Sequence, residues 1–471
     1  MKGVHCRQAM KIVTFCLIGV LLLQRLYQVF SWKDTAGNYK SSMETFYRLD
    51  RDSVDVLFLG SSHCYCSVDV ANLWKNHGIA AYSLSISGQD IASSYYCLAE
   101  ALKTQKPKVV FLESYSATTH GYQVRGNLYR NLLSYQLSPN FLQAVRSLAE
   151  EEEQRDFLLK WPVIHTRYKE LQKEDFLRER PVYMGYESYF WTQPVGLQNY
   201  DGEETLPIGE EEEEWLRRIM ALAKEKDVQL CFFLAPVAEE EYRLKMHKYV
   251  QELAEEGGVP FLNFVQMQEE LELDAHADFV DWQHVNHYGA QKVTEYLGTY
   301  LKENYVLEDR RGLPEYALWE ENVRAREHEV RNEELKKIGN VSTYVRSLGS
   351  LEGYTVVFAA SGDHYLEDSG LIGRTGGQDW LEELIAGGGV GIYRNGEVVW
   401  STAAAEGLAT ERCGPGEIAV ERSKGTDYVY VDGECYSKTD NGINIVVYDD
   451  VLGIVADAVG FPTASQYSPV R

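Results

Sequence analysis

The sequence is short of several things, and each shortage removes a class of explanation. Its 8 cysteines include no Cys-x-x-Cys pair and no spacing that suits a zinc site, so neither a structural metal nor a cofactor is expected. Basic residues are in deficit, 46 against 71 acidic. A net charge of -25 repels the phosphates of DNA and RNA rather than releasing their counterions, which argues against a nucleic-acid partner. Apolar runs long enough for a membrane are also scarce. One, residues 12–23, follows MKGVHCRQAMK with its Lys2, Arg7 and Lys11. It reaches the roughly 20 residues a bilayer core needs only when counted on through Gln24 and Arg25 to residue 30. No small-x-small cleavage site follows. The reading is therefore an uncleaved signal anchor over residues 1–31, single-pass in the cell membrane with the remainder extracytoplasmic; a cleaved signal peptide is the alternative.

What is present is enough for more than one core: 471 residues, 45% of them hydrophobic, where a single domain takes roughly 100–200 residues. From residue 54 the pattern is strand, turn, helix, repeated. VDVLFLG, AAYSLSI and KVVFLE read as strands buried on both faces of a parallel sheet, with a helix over residues 90–103. The pattern resumes with a helix over 215–226, the strand VQLCFFL, a helix over 239–255 and the strand VPFLNF. Such alternation predicts an α/β domain over residues 45–305.

Residues 118–206 interrupt it as an insertion without strand periodicity, rich in aromatics such as Tyr183, Tyr186, Tyr189, Phe190 and Trp191. These suit stacking on sugar rings or a lid over a cleft, and equally the packing of a helical subdomain. The glutamate runs at 150–153 and 210–214 read as solvated, the second preceding a helix whose dipole favours acidic neighbours. Residues 306–338 are a charged, helix-prone connector. Beyond them, over 340–471, TVVFAA, GVGIYRNGEVVW, DYVYVDG and INIVVYDD predict a β-rich domain with hairpins at Asn395-Gly396 and Asp432-Gly433 and a short helix over 379–385. Cys413 and Cys435, the two cysteines of that region, are equally readable as a disulfide or as free thiols.

Two segments carry reactive chemistry. In FLGSSHC, residues 58–64, a buried strand ends in a glycine turn that lifts Ser61 and Ser62 to the carboxyl edge of the sheet, where open α/β sheets build their sites. Alone, the same turn serves to cap a helix or bind an anion. In ADFVDWQHVNHYGA, residues 277–290, Asp281 and His284 stand one helical turn apart, so the carboxylate can hold one imidazole nitrogen while the other meets a nucleophile. A surface loop, or a metal site from Asp281, His284 and His287, is the alternative there.

Taken together, Ser62 after the first strand and Asp281-x-x-His284 after the last resemble blocks I and V of the SGNH/GDSL hydrolases. The resemblance implies a flavodoxin-like three-layer α/β/α hydrolase domain with Ser62, Asp281 and His284 as the triad. The absence of a G-x-S-x-G elbow around Ser62 separates it from the α/β-hydrolases. The GSSH motif and the anchor are most similar to the DltD-like and AlgX/AlgJ-like branches, which act on acyl groups of cell-wall or exopolysaccharide polymers, often beside a membrane-bound O-acyltransferase. The implied function is an extracytoplasmic serine esterase or O-acyltransferase; a catalytically degenerate fold that binds carbohydrate or scaffolds is the alternative. Gly88, in SISGQD, takes the place of the family's block II glycine, and its N–H with that of Ser62 would hold the oxyanion. The family's Gly-x-Asn-Asp after the next strand is missing: LESY, residues 112–115, stands there, leaving Ser114 or Tyr115 as candidate substrate contacts. Residues 340–465 resemble the interleukin-like EMT inducer (ILEI/PANDER) domain through YTVVFAASGD and GINIVVYDDVLGIVADAVGF, implying a β-sandwich, with a carbohydrate-binding role or a purely stabilising one.

Overall fold

A computed structural model describes residues 2–31, 39–119, 125–171, 173–176, 184–349, 351–361, 389–394, 397–402, 407–413, 416–423, 426–462 and 468–471. The chain divides into two units, residues 1–323 and 324–471, and the division falls inside the stretch read as a connector.

In the first unit β1 (Val56–Gly60), β2 (Ala81–Ser85), β3 (Val109–Glu113), β4 (Gln229–Leu234) and β5 (Phe261–Asn263) form a parallel sheet in the order β2-β1-β3-β4-β5. Every residue of β1, β2 and β3 is buried, the outcome expected when helices cover both faces of a parallel sheet. The flavodoxin-like order puts a topological switch point between β1 and β3, where α/β sheets open a crevice beyond their carboxyl ends. Both strands end there, β1 running into Ser61 and Ser62 and β3 ending at Glu113.

The helices of this unit are α1 (Lys2–Phe30), α2 (Tyr39–Phe46), α3 (Ser62–Ser67), α4 (Val70–His77), α5 (Ile91–Ala101), α6 (Arg125–Ser134), α7 (Pro139–Leu148), α8 (Glu151–Leu159), α9 (Trp161–Ile164), α10 (Glu210–Glu225), α11 (Glu241–Glu256) and α12 (His287–Asn304). Short polar side chains set where they begin: Asp69 caps α4, Asp90 caps α5, and Asn286 caps α12 by accepting from the N–H groups of Tyr288 and Gly289. The acidic run at 210–213 is itself the first turn of α10. That helix thus starts five residues earlier than its apolar pattern, since carboxylates are favoured at the positive end of the helix dipole. In α1 the stretch Met10–Phe30, 21 residues, is long and apolar enough to cross a membrane. Most of its side chains, Phe15 and Leu21 among them, are exposed, while Tyr27 and Phe30 at its end pack against the core. The Arg167 guanidinium donates to the carbonyls of Phe30 and Ser31 at 3.0 and 2.6 Å, satisfying the end of the helix.

The insertion builds α6 to α9 and then an extended strap. Tyr183 lies outside the described residues. Met184 and Gly185 begin the strap, with Ser83 N–H donating to Met184 O at 2.9 Å. Further on, Gln193 N–H donates to Phe279 O at 2.8 Å and Val195 N–H to Ala275 O at 2.9 Å, while His287 N–H donates to Tyr189 O at 2.7 Å. The strap therefore clamps the loop that carries Asp281 and His284.

After α13 (Ala317–Lys337) and α14 (Val341–Leu348), the second unit holds two antiparallel sheets. One has the order β14-β13-β6-β7-β8, from β6 (Tyr354–Ser361), β7 (Gly389–Arg394), β8 (Glu397–Thr402), β13 (Gly442–Asp449) and β14 (Ile454–Pro462). The other has the order β12-β11-β10-β9, from β9 (Gly407–Cys413), β10 (Gly416–Ser423), β11 (Thr426–Val431) and β12 (Glu434–Cys435). Strand β6 shows the period-2 logic of a sandwich. Tyr354, Val356, Phe358 and Ala360 pack with Tyr344, Val345 and Leu348 of α14, whereas Val357 and Ala359 pack with Ile418, Val420, Val429 and Val431 of the other sheet. Asp432 and Gly433 both have positive φ, 51° and 81°, and join β11 to β12 as a tight hairpin turn. The Asn395-Gly396 dipeptide and the helix expected over 379–385 lie outside the described residues, though β7 and β8 pair antiparallel on either side of the former. Cys413 on β9 and Cys435 on β12 are separated by two intervening strands. Cys435 is a free, exposed thiol, and the side chain of Cys413 lies outside the described residues.

Candidate active site

The turn after β1 depends on a missing side chain. Gly60 has φ +149°, and a Cβ there would come within 2.6 Å of Glu113 Cβ, so only glycine lets β1 pass this close to the end of β3. Ser61 then caps α3, its hydroxyl accepting from His63 N–H at 3.4 Å, and Ser62 becomes the first helical residue with its Oγ at the edge of the crevice.

The partner loop is equally constrained. Phe279 and Val285 form an antiparallel bridge, closed by Val280 N–H to His284 O at 3.0 Å and Asn286 N–H to Asp278 O at 2.9 Å. Asp281 and His284 stand at its tip. Asp281 Oδ1 accepts from the N–H groups of Gln283 and His284 at 2.7 and 2.9 Å, and both its oxygens lie 3.0 Å from His284 Nδ1. His284 Nε2 lies 2.8 Å from Ser62 Oγ, across 222 residues of sequence. The three side chains predicted from sequence thus form one hydrogen-bonded chain. With Asp281 accepting at Nδ1–H, the neutral imidazole presents its Nε2 lone pair to the Ser62 hydroxyl. Burial alone would raise the Asp281 carboxyl, but the hydrogen bond and charge of His284 and the two loop N–H groups outweigh it and hold the group below the ordinary carboxylate value. Asp281 is therefore ionised when His284 needs it.

The environment of His284 is a second layer of bonded groups. The His63 ring lies 4.9 Å from it and stacks on Tyr115 at 3.6 Å. Burial, aided by the neighbouring His284, His247 and Arg243, pushes the His63 pKa far down, so His63 stays neutral and does not compete for the Ser62 proton. Tyr115 donates its hydroxyl to Glu239 at 2.7 Å and receives bonds from Arg243 and Gln283 at 3.0 and 3.1 Å. Ser114 is fully buried and gives its hydroxyl to Phe233 O at 3.1 Å. Both hydroxyls considered as substrate contacts are thus committed inside the fold. His287 turns away from the triad, packing against Phe190 with ring centroids 5.0 Å apart. Among the described residues no group of three His, Cys, Asp or Glu side chains is placed to hold a metal ion.

Two features escaped the sequence reading. One is Asn127, whose side chain lies against Gly88. The other is Glu113, which occupies the end of β3 as a fully buried carboxyl. It accepts from Tyr115 N–H at 2.9 Å and from the Ser61 hydroxyl at 3.1 Å, tying the Ser61-Ser62 turn to the neighbouring strand. Burial pushes its pKa up to about 7, against the pull of these donors and of the Ala235 and Ser61 N–H groups. In the unfolded chain the same group titrates near its ordinary value of about 4.3. The folded state therefore holds the proton more tightly, and the stability this contributes is fully present below the unfolded pKa and lost as pH rises through about 7. Glu113→Gln should remove that loss, worth about 3–4 kcal/mol by linkage. Denaturation midpoints from pH 5 to 8 would show the wild type falling toward, or below, a flat variant; parallel curves would refute it.

No family model matches the chain, and no curated protein matches it in sequence. Solved structures similar to it include the psychrotrophic esterase EstA from Pseudoalteromonas sp., at 12% identity over 54% of this chain and 98% of that one, with a TM-score of 0.28. A GDSL-like lipase from Bacteroides thetaiotaomicron is similar at 13% identity over 57% and 98%, TM-score 0.28. A catalytic mutant of Axe2, an acetylxylan esterase from Geobacillus stearothermophilus, is similar at 15% identity over 54% and 94%, TM-score 0.27. At these values the functional reading rests on this chain's own side chains.

Proposed function

We propose that the protein is a membrane-anchored extracytoplasmic serine esterase or O-acyltransferase that acts on acyl groups of cell-envelope polysaccharide through an acyl-serine on Ser62. One observation carries the reading: the unbroken chain from Ser62 Oγ through His284 to Asp281, at 2.8 and 3.0 Å. Such a chain has the geometry of nucleophile, base and orienter, and its intactness counts against a degenerate fold kept only for binding.

In the reaction, Ser62 Oγ attacks the ester carbonyl as its proton passes to His284 Nε2. The N–H groups of Ser62 and Gly88 stabilise the oxyanion; among the described residues neither donates to a backbone acceptor. Collapse expels the sugar alkoxide, which takes the proton from His284. His284 then activates an incoming hydroxyl, and the acceptor, water or a second sugar, depends on how well the filled crevice excludes water.

Two exposed indoles favour a sugar polymer. Trp282, in the triad loop, is 50% exposed, and Trp191, on the strap that clamps that loop, is 60% exposed; apolar ring faces of this kind suit stacking on pyranoses. The anchor would be α1, holding the crevice near the membrane surface, where a membrane-bound O-acyltransferase is the fitting partner. The second unit is proposed as a sandwich that holds the polymer. The test is release of acetate or D-alanine from candidate envelope polymers by the full-length protein. Release by wild type and none by Ser62→Ala supports the assignment. Equal release by both would overturn it.

A further inference from the structure

Attack on an ester leaves a full negative charge on the former carbonyl oxygen, and each preorganised donor aimed at it is worth a large factor in rate. Strand β3 supplies none, because its end is the carboxyl of Glu113. The structure offers a replacement from elsewhere in the chain. Ser85, the last residue of β2, pairs with Gly60, and Ile86 N–H donates to Gly60 O at 3.2 Å. The turn that carries Gly88 is therefore seated beside the turn that carries Ser62. Gly88 has φ +62°, and a Cβ at that position would collide with Asn127 Nδ2. The amide of Asn127 thus fills the place a side chain on Gly88 would take. Its orientation is set from behind: Arg130, one turn along α6, donates Nη1–H to Asn127 Oδ1 at 3.3 Å, which leaves the NH2 end facing Gly88.

We propose that Asn127 is a catalytic residue, its Nδ2–H donating to the oxyanion alongside the backbone N–H groups of Gly88 and Ser62. This rests on the assignment of Ser62 as nucleophile. The step balances without further groups. The Oγ–C bond forms as the carbonyl π pair moves onto its oxygen and the Ser62 proton moves to His284. The pair then returns, the C–O bond to the leaving alkoxide breaks, and that alkoxide takes the proton. Asn127 exchanges no proton; it only stabilises the charge. The same contact explains why residue 88 is glycine, since any side chain there would displace the amide.

The test uses the detergent-solubilised full chain with p-nitrophenyl acetate and a fluorophosphonate probe. Asn127→Ala should lower kcat about 10²–10³-fold, with KM within about threefold and the shape of the pH profile unchanged. Asn127→Asp has the same size and keeps the acceptor for Arg130, so a merely structural role would tolerate it. A donor role predicts a loss at least as large as in Asn127→Ala, because a carboxylate repels the oxyanion. If the wild type reacts through Ser62 while both variants stay within threefold, or if Asn127→Asp restores the rate, the donor assignment is overturned and the Ser62 reading stands. If Ser62→Ala is labelled and turns over like wild type, the reading beneath it falls first.

Discussion

Ser62→Ala is expected to abolish covalent labelling by a fluorophosphonate and to lower ester turnover by roughly four to six orders of magnitude. The size follows from the geometry. Ser62 donates its hydroxyl to His284 Nε2 at 2.8 Å, and the neighbouring hydroxyl cannot replace it. Ser61 Oγ is buried on the other side of the turn, 3.1 Å from Glu113 Oε2 and 3.0 Å from His63 Nδ1. Its proton is spoken for by Glu113, and its lone pairs face His63. Removing one half-buried hydroxyl at the start of a helix should leave folding intact, so an unchanged thermal melt must accompany the loss. Residual labelling at the wild-type rate would mean that another nucleophile does the work and that the Ser62–His284 contact is structural.

Asp281→Asn should be nearly as severe, with kcat reduced by roughly 10⁴-fold and KM little changed. The loop dictates how an asparagine would sit. The N–H groups of Gln283 and His284 both donate to Asp281 Oδ1, so the amide oxygen must stay with them and the NH2 end turns to His284 Nδ1. That nitrogen would then have to accept. The imidazole would carry its proton on Nε2, facing Ser62, and could not take the Ser62 proton. The variant preserves every backbone contact of the loop and reverses only the tautomer, so a rate within tenfold of wild type would show that Asp281 does not orient His284. The side chain is 41% exposed, and no large change in stability is expected to confuse the result.

Much of this site was legible in the sequence because its determinants are local. VLFLG before Ser61-Ser62 is apolar at every position, a pattern that two covered sheet faces require, and Asp281-x-x-His284 places a carboxylate where it can reach an imidazole within one loop. The hairpin at Asp432-Gly433 was legible for the same reason, both residues accepting positive φ. The acidic run before α10 was misjudged at its boundary, since exposed glutamates carry no apolar period although they start a helix well. Asn127 and Glu113 were not legible. Asn127 sits in an insertion without strand periodicity, and only the packing of α6 over the β2 turn brings it to Gly88. Glu113 reads as one more polar residue at a strand end until β1 is seen to press Gly60 against it.

By itself the sequence determined the strands of the central sheet, the sandwich beyond it and the three side chains able to act as nucleophile, base and orienter, because hydrophobic period and short-range spacing are properties of neighbouring residues. Tertiary structure decided which groups became available to one another. The strap that pins the His284 loop, the commitment of Ser114 and Tyr115 to internal bonds and the arrival of Asn127 beside Gly88 all depend on chain crossings between distant segments. Those crossings are fixed by burial of the whole core, and no local pattern records them.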